Sequence, residues 1–146
     1  MLNLTPTIGL RSKDVAIAYL FLRLIFGINF FNHGFTRIGD IGGFANSMVE
    51  LFKNSPIPAE LVRINGLLVP PVELVIGVLL LLGLFTRGAL VAGFVLMMIL
   101  QMGVTILQNW DTVASQLIYC IVFFVLLAGI GFNAFSLDRV RRRSPS

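Results

Sequence analysis

Three side chains that normally stay in water lie inside segments apolar enough for a lipid bilayer. Arg23 and His33 fall in RLIFGINFFNHGFTR (23–37), and Glu73 falls in VPPVELVIGVLLLLGL (69–84). A charge in hydrocarbon costs about 2.5–3.5 kcal/mol even on the mildest insertion scales, so such residues face a partner or a cavity. Counting about 1.5 Å per residue from the ends of the apolar runs puts Arg23 roughly 13 Å deep and Glu73 roughly 16 Å deep. The two are therefore expected to form an ion pair between the first and second membrane helices. Such a pair can fix register, as a buried polar residue does in a coiled coil. It can also do chemistry, with Glu73 taking up a proton and Arg23 binding an anion, which makes these two the candidate catalytic residues.

A second polar set lies further out. The same count places His33 roughly 28 Å from the start of its helix, with Asn65 level with it and Asn29 one turn below. Gln101 on the third span and Gln116 and Tyr119 on the fourth fall between roughly 20 and 26 Å. Facing inward beside aromatic walls such as Phe30, these six residues would bind a flat, mostly apolar molecule carrying a few carbonyl oxygens. Facing each other, they are interhelical hydrogen bonds worth about 0.6 kcal/mol each. His33 is the chain's one histidine and Cys120 its one cysteine, so metal or haem ligation and an intramolecular disulfide are not expected.

The elements that must position these groups follow from composition. Of 146 residues 57% are hydrophobic and 12% charged, and mean hydropathy is +0.92, whereas a soluble domain is about 45–50% apolar and about 25% charged. Four stretches approach the roughly 20 apolar residues that span a bilayer: about 15–34, 61–84, 89–107 and 113–132. The expected fold is all-α, one membrane domain over 1–146 forming an antiparallel four-helix bundle, because FTRG (85–88) and QNWDT (108–112) are short connections. The first span follows RSKD but is too long for a signal-peptide core and lacks a cleavage site, so it reads as a mature helix.

The first loop contains FANSMVELFK (44–53), where Phe44, Met48, Leu51 and Phe52 recur at helical spacing before NSPIP (54–58) stops the pattern. A short amphipathic helix on the outer face is expected, either packing on the bundle or lidding a pocket. Consecutive prolines, Pro70 and Pro71, remove two amide donors and free the carbonyls of Gly66 and Leu67. Gly77, Gly83, Gly88, Gly93 and Gly103 permit close helix approach, and Met97, Met98 and Met102 read as core filler.

Orientation follows from basic residues near the span ends. Arg11, Lys13, Arg87, Arg139, Arg141, Arg142 and Arg143 lie on one side, against Arg37, Lys53 and Arg63 on the other. Seven against three puts both termini in the cytoplasm and Trp110 at the outer interface. The tail RVRRRSPS (139–146) is then a topology signal and a candidate contact for anionic lipid. The net charge of +4 gathers at the chain ends rather than along one face, so nucleic-acid binding is not expected.

The linked pattern of Arg23 with Gly27, His33 with Gly34, Pro70 with Glu73, GLFTR (83–87), NW (109–110) and FSLDR (135–139) resembles the DoxX family of small four-helix membrane proteins, over Tyr19 to Arg139. Thr36-Arg37 stands where that family often has a lysine followed by an apolar residue. The resemblance implies the membrane bundle. It also implies a quinone-linked role, because the family takes its name from a subunit of a thiosulfate:quinone oxidoreductase, while other members are linked to redox-stress complexes or to assembly of membrane proteins. On that reading His33, Asn29 or Tyr119 donates to the quinone oxygens and Glu73 supplies a proton. No motif for nucleotide, flavin or iron–sulfur binding is present, so electrons would come from a partner redox subunit or from substrate. Three functions stay open: a quinone-linked oxidoreductase subunit with no covalent cofactor, a non-catalytic scaffold or assembly factor, and a small transporter. Self-association into a homo-oligomer is compatible with each.

Overall fold

The computed structural model describes residues 11–143. It contains six α-helices: α1 (Ser12–Ile38), α2 (Ile41–Leu51), α3 (Ala59–Leu82), α4 (Thr86–Ile106), α5 (Trp110–Ala128) and α6 (Leu137–Arg143), with a 3-10 turn at Ile130–Phe132. Four of them, α1, α3, α4 and α5, are long and apolar enough to cross a membrane. They run alternately up and down, giving the all-α polytopic bundle, and no strand occurs among the described residues.

Local chemistry fixes the ends of these helices. Asp14 lies in the first turn of α1 and Arg37 in its last, each matched to the helix dipole. The Asp40 carboxylate then caps α2 by accepting from the Gly43 amide at 2.9 Å. At the end of α3, Gly83 takes φ +63, and the Leu84 and Gly83 amides donate back to Leu79 O and Leu80 O. This is a Schellman ending, which a residue without Cβ adopts at no steric cost. At the start of α5, Asn109 accepts from Thr112 N.

The first helix packs on α3 through glycines that let backbones meet. A Cβ at Gly34 would lie 2.6 Å from Pro70 O, one at Gly77 would strike the Phe31 backbone, and one at Gly27 would crowd Leu81. These contacts set the register: residue 34 of α1 lies opposite 70–74 of α3, and residue 27 opposite 81. Behind this seam an aromatic core fills the bundle, with the Phe26 and Phe30 rings 4.7 and 5.3 Å from that of Phe123. Gly93 of α4 leaves the space that the Phe123 ring occupies.

Two expectations change in the structure, and one element is added. The last span ends at Ala128, not 132, because the chain turns at Gly129 through the 3-10 segment and returns along α1, where Arg23 donates to Phe135 O at 2.7 Å. The start of the basic tail, to Arg143, belongs to the short helix α6. In α2 the buried face centres on Ala45, which meets Gly66 of α3, while Leu51 is 56% exposed. A small residue there lets the two backbones approach, and that governs the packing more than the large apolar side chains do. The amphipathic helix itself is present and rests on α3, with Arg63 donating to Asn46 Oδ1.

Candidate functional site: a polar layer behind a membrane-facing cleft

The expected pair between Arg23 and Glu73 is not made. Glu73 accepts from Arg37 at 2.7 Å, its side chain 6% exposed against 30% for Arg37, and the Arg37 guanidinium also stacks over the Phe44 ring of α2. Arg23 lies seven to ten residues further along α3, roughly 10–15 Å away by helix rise. There it donates to Leu80 O at 3.1 Å and to Phe135 O at 2.7 Å. The depth count failed because α1 is 27 residues long, about 40 Å against a core of about 30 Å. Its first three turns run past the end of α3, an offset that apolar length cannot reveal.

Arg23 belongs to a knot that joins three chain segments. Gly83 has room for its guanidinium only because it lacks Cβ. Asp138 of the C-terminal return accepts from Phe85 N at 2.7 Å and Thr86 N at 2.8 Å, capping α4 from another segment. Asn133 Nδ2 donates to the buried Thr86 Oγ1, and Ser136 Oγ donates to Asn133 O. Phe85 accepts a left-handed backbone, φ 48, to enter this arrangement. The guanidinium thus satisfies helix-end carbonyls at the edge of the bundle and does not sit at mid-membrane.

Of the second polar set, the structure joins two members directly: Tyr119 Oη donates to Asn29 Oδ1 at 3.1 Å, across α5 and α1. His33 is one turn beyond Asn29, on the face that carries Phe26, Phe30 and Arg37, and Gln116 is one turn beyond Tyr119. Gln101 is level with Gln116, since Gly93 meets Phe123 and the two glutamines lie eight and seven residues further out. The Oε1 atoms of both glutamines are buried without a hydrogen-bond partner, which is costly unless something fills the space between them. Asn65 does not join this layer. The α1–α3 register puts it about nine residues, roughly 13 Å, beyond the level of His33, near α2.

A cleft of about 220 Å³ opens beside the Asn29–Tyr119 bond, between α1 and α5, lined by Ile25, Phe26, Asn29, Ile118, Tyr119 and Val122. Ile25 and Ile118 are exposed on its outer edges, where lipid would lie. Its volume is below the roughly 300–1,000 Å³ of a typical ligand pocket. Among the described residues no three His, Cys, Asp or Glu side chains converge.

A family model described as DoxX matches residues 18–108, more than half of the chain. The chain belongs to the DoxX family. The match spans α1 to α4, and it takes in the Arg37–Glu73 pair, Asn29, His33, Asn65 and Gln101. Two further parts of this DoxX protein's site, Tyr119 and Gln116 on α5, lie beyond the matched residues, as does the Asp138 return. Comparison with curated proteins and with solved structures gave no match. The DoxX membership and the four apolar helices make this an integral membrane protein. Sequence reasoning missed Arg37 as the partner of Glu73. Its position in the last turn of a helix that outruns the bilayer was the available signal.

Proposed function

We propose that this DoxX protein is the quinone-binding membrane subunit of an oxidoreductase, with quinone reaching the α1–α5 cleft sideways from the bilayer. The observation that carries this reading is the Asn29–Tyr119 bond at the wall of a cleft whose outer edge is apolar and open. The Asn29 amide group keeps its N–H donors for a quinone carbonyl. The Phe26 and Tyr119 rings, tilted 50° to each other, supply aromatic edges and faces to the cleft. Arg37 holds Glu73 one layer away, where the carboxylate is a proton carrier for the reduced ligand. Electrons come from a partner subunit or from substrate. Both termini are proposed to face the cytoplasm, in the inner membrane, on the seven-to-three excess of basic residues at that end.

The test is the quinone content of protein purified in mild detergent, read by solvent extraction and mass spectrometry at equal lipid content. Near-stoichiometric quinone is expected, bound about fivefold more weakly in Tyr119→Phe, the loss of one hydrogen bond of about 1 kcal/mol, so that the variant retains less. Quinone at the lipid background in both proteins would overturn the reading.

A second reading, a non-catalytic scaffold, is favoured by one specific observation. Arg23, Gly83, Thr86, Ser136 and Asp138, which carry much of the family resemblance, all serve to tie chain ends together. Under that reading another membrane protein co-purifies with the chain, and Tyr119→Phe leaves the partnership unchanged.

A further inference from the structure

At the basic end of the bundle a larger groove, about 530 Å³, runs between the overhanging start of α1 and the C-terminal return. Ala16 and Ile17 form one wall, Phe132 and Phe135 the other, and Lys13 and Arg139 stand over it. Three of these apolar side chains are open to the surroundings: Ile17 is 43% exposed, Phe132 41% and Phe135 55%. The groove exists because α1 continues past the end of α3 and, among the described residues, the return covers it there.

We propose that this groove is a binding site for one anionic phospholipid, whose phosphate is held by Lys13 and Arg139 and whose acyl chain lies along Ile17, Phe132 and Phe135. Two features select this occupant. The groove lies beyond the α3–α4 turn, at headgroup depth, where apolar walls suit an acyl chain and cations suit phosphate. Charge at this end is complementary to an anion: Arg11, Lys13, Arg87, Arg139 and Arg141 stand against Asp14 and Asp138. A soluble anion would have no use for the phenylalanine walls, and a zwitterionic lipid would leave the two cations unbalanced. The site is separate from the α1–α5 cleft and does not depend on the quinone reading.

Native mass spectrometry of the full chain in detergent, titrated with phosphatidylglycerol or with phosphatidylcholine of the same acyl chains, tests the proposal. One phosphatidylglycerol per chain is expected to bind at least about tenfold more tightly than phosphatidylcholine. The Lys13→Gln, Arg139→Gln double variant should abolish that preference. Arg87→Gln, which removes a charge from the same end but outside the groove, should leave it intact. Gly131→Leu supplies an uncharged control, since a Cβ at Gly131 meets nothing within 4 Å and the longer side chain would fill the groove. It should lower phosphatidylglycerol binding with helix content unchanged by circular dichroism. Equal binding of the two lipids would overturn the site. So would an Arg87→Gln loss as large as that of the double variant, which would mean that charge acts without the groove, or unchanged binding in Gly131→Leu. Displacement of the lipid by inorganic phosphate at equal concentration would overturn the choice of a lipid as the occupant.

Discussion

The charged side chains inside the spans are held in two different ways. Among the described residues no carboxylate pairs with Arg23, which donates to Leu80 O near the end of α3 and to Phe135 O of the return, whereas Glu73 depends on a single arginine. That dependence is unequal, because Glu73 is almost wholly buried and Arg37 reaches partly outward over Phe44. Removing the arginine strands a buried carboxylate, while removing the carboxylate leaves a cation that still has a ring and an aqueous path. Arg37→Gln is therefore expected to lower stability by about 2–4 kcal/mol and Glu73→Gln by about 1 kcal/mol, with the double variant less stable than wild type by no more than Arg37→Gln alone. Thermal unfolding in detergent of the four proteins measures the cycle. Equal losses in the two single variants would contradict this account of burial.

At the scale of the elements, the bundle is organised by the α1–α3 seam, and glycines act there as a register code. Gly34 and Gly77 have no space for a methyl group, since the opposing atoms are backbone and cannot rotate away. By contrast Gly88, in the first turn of α4, faces open space. Gly34→Ala is expected to destabilise the protein by about 1–3 kcal/mol through overpacking, and Gly88→Ala to be neutral or stabilising by up to about 0.5 kcal/mol. The difference in thermal midpoint between these two chemically identical substitutions reads the seam directly. A comparable midpoint for both would mean that the backbones are not in close contact.

For the molecule as a whole, four crossings place both chain ends on one side, and the knot of Arg23, Gly83, Thr86, Asn133 and Asp138 closes that end. The opposite end is closed by α2 lying on α3, with the Phe52 ring against Gly103 of α4. Between these closures α5 is the least enclosed span, with Phe123 and Leu126 its only buried residues. This is why the α1–α5 boundary holds the cleft. Reporter fusions at the N-terminus and at the C-terminus are both expected to read cytoplasmic, and replacing Arg139, Arg141, Arg142 and Arg143 with glutamine should weaken that preference. Reporters reading on opposite sides would remove one of the four crossings.

By itself the sequence determined the class of fold, because apolar length and the basic residues beside it report directly on the bilayer. It also determined the number of spans, the amphipathic helix in the first loop and the identity of the polar residues that lipid could not hold unpartnered. Only the tertiary structure decided which of those residues meet. Partner choice depends on the vertical offset of one helix against another, and that offset is set by backbone contacts at Gly27, Gly34 and Gly77. An offset of two to three helical turns moved Glu73 from Arg23 to Arg37 and carried Asn65 out of the polar layer. The chain's return after Ala128 was likewise hidden, since Asp138 caps α4 through residues more than fifty positions away and leaves no local pattern in the sequence.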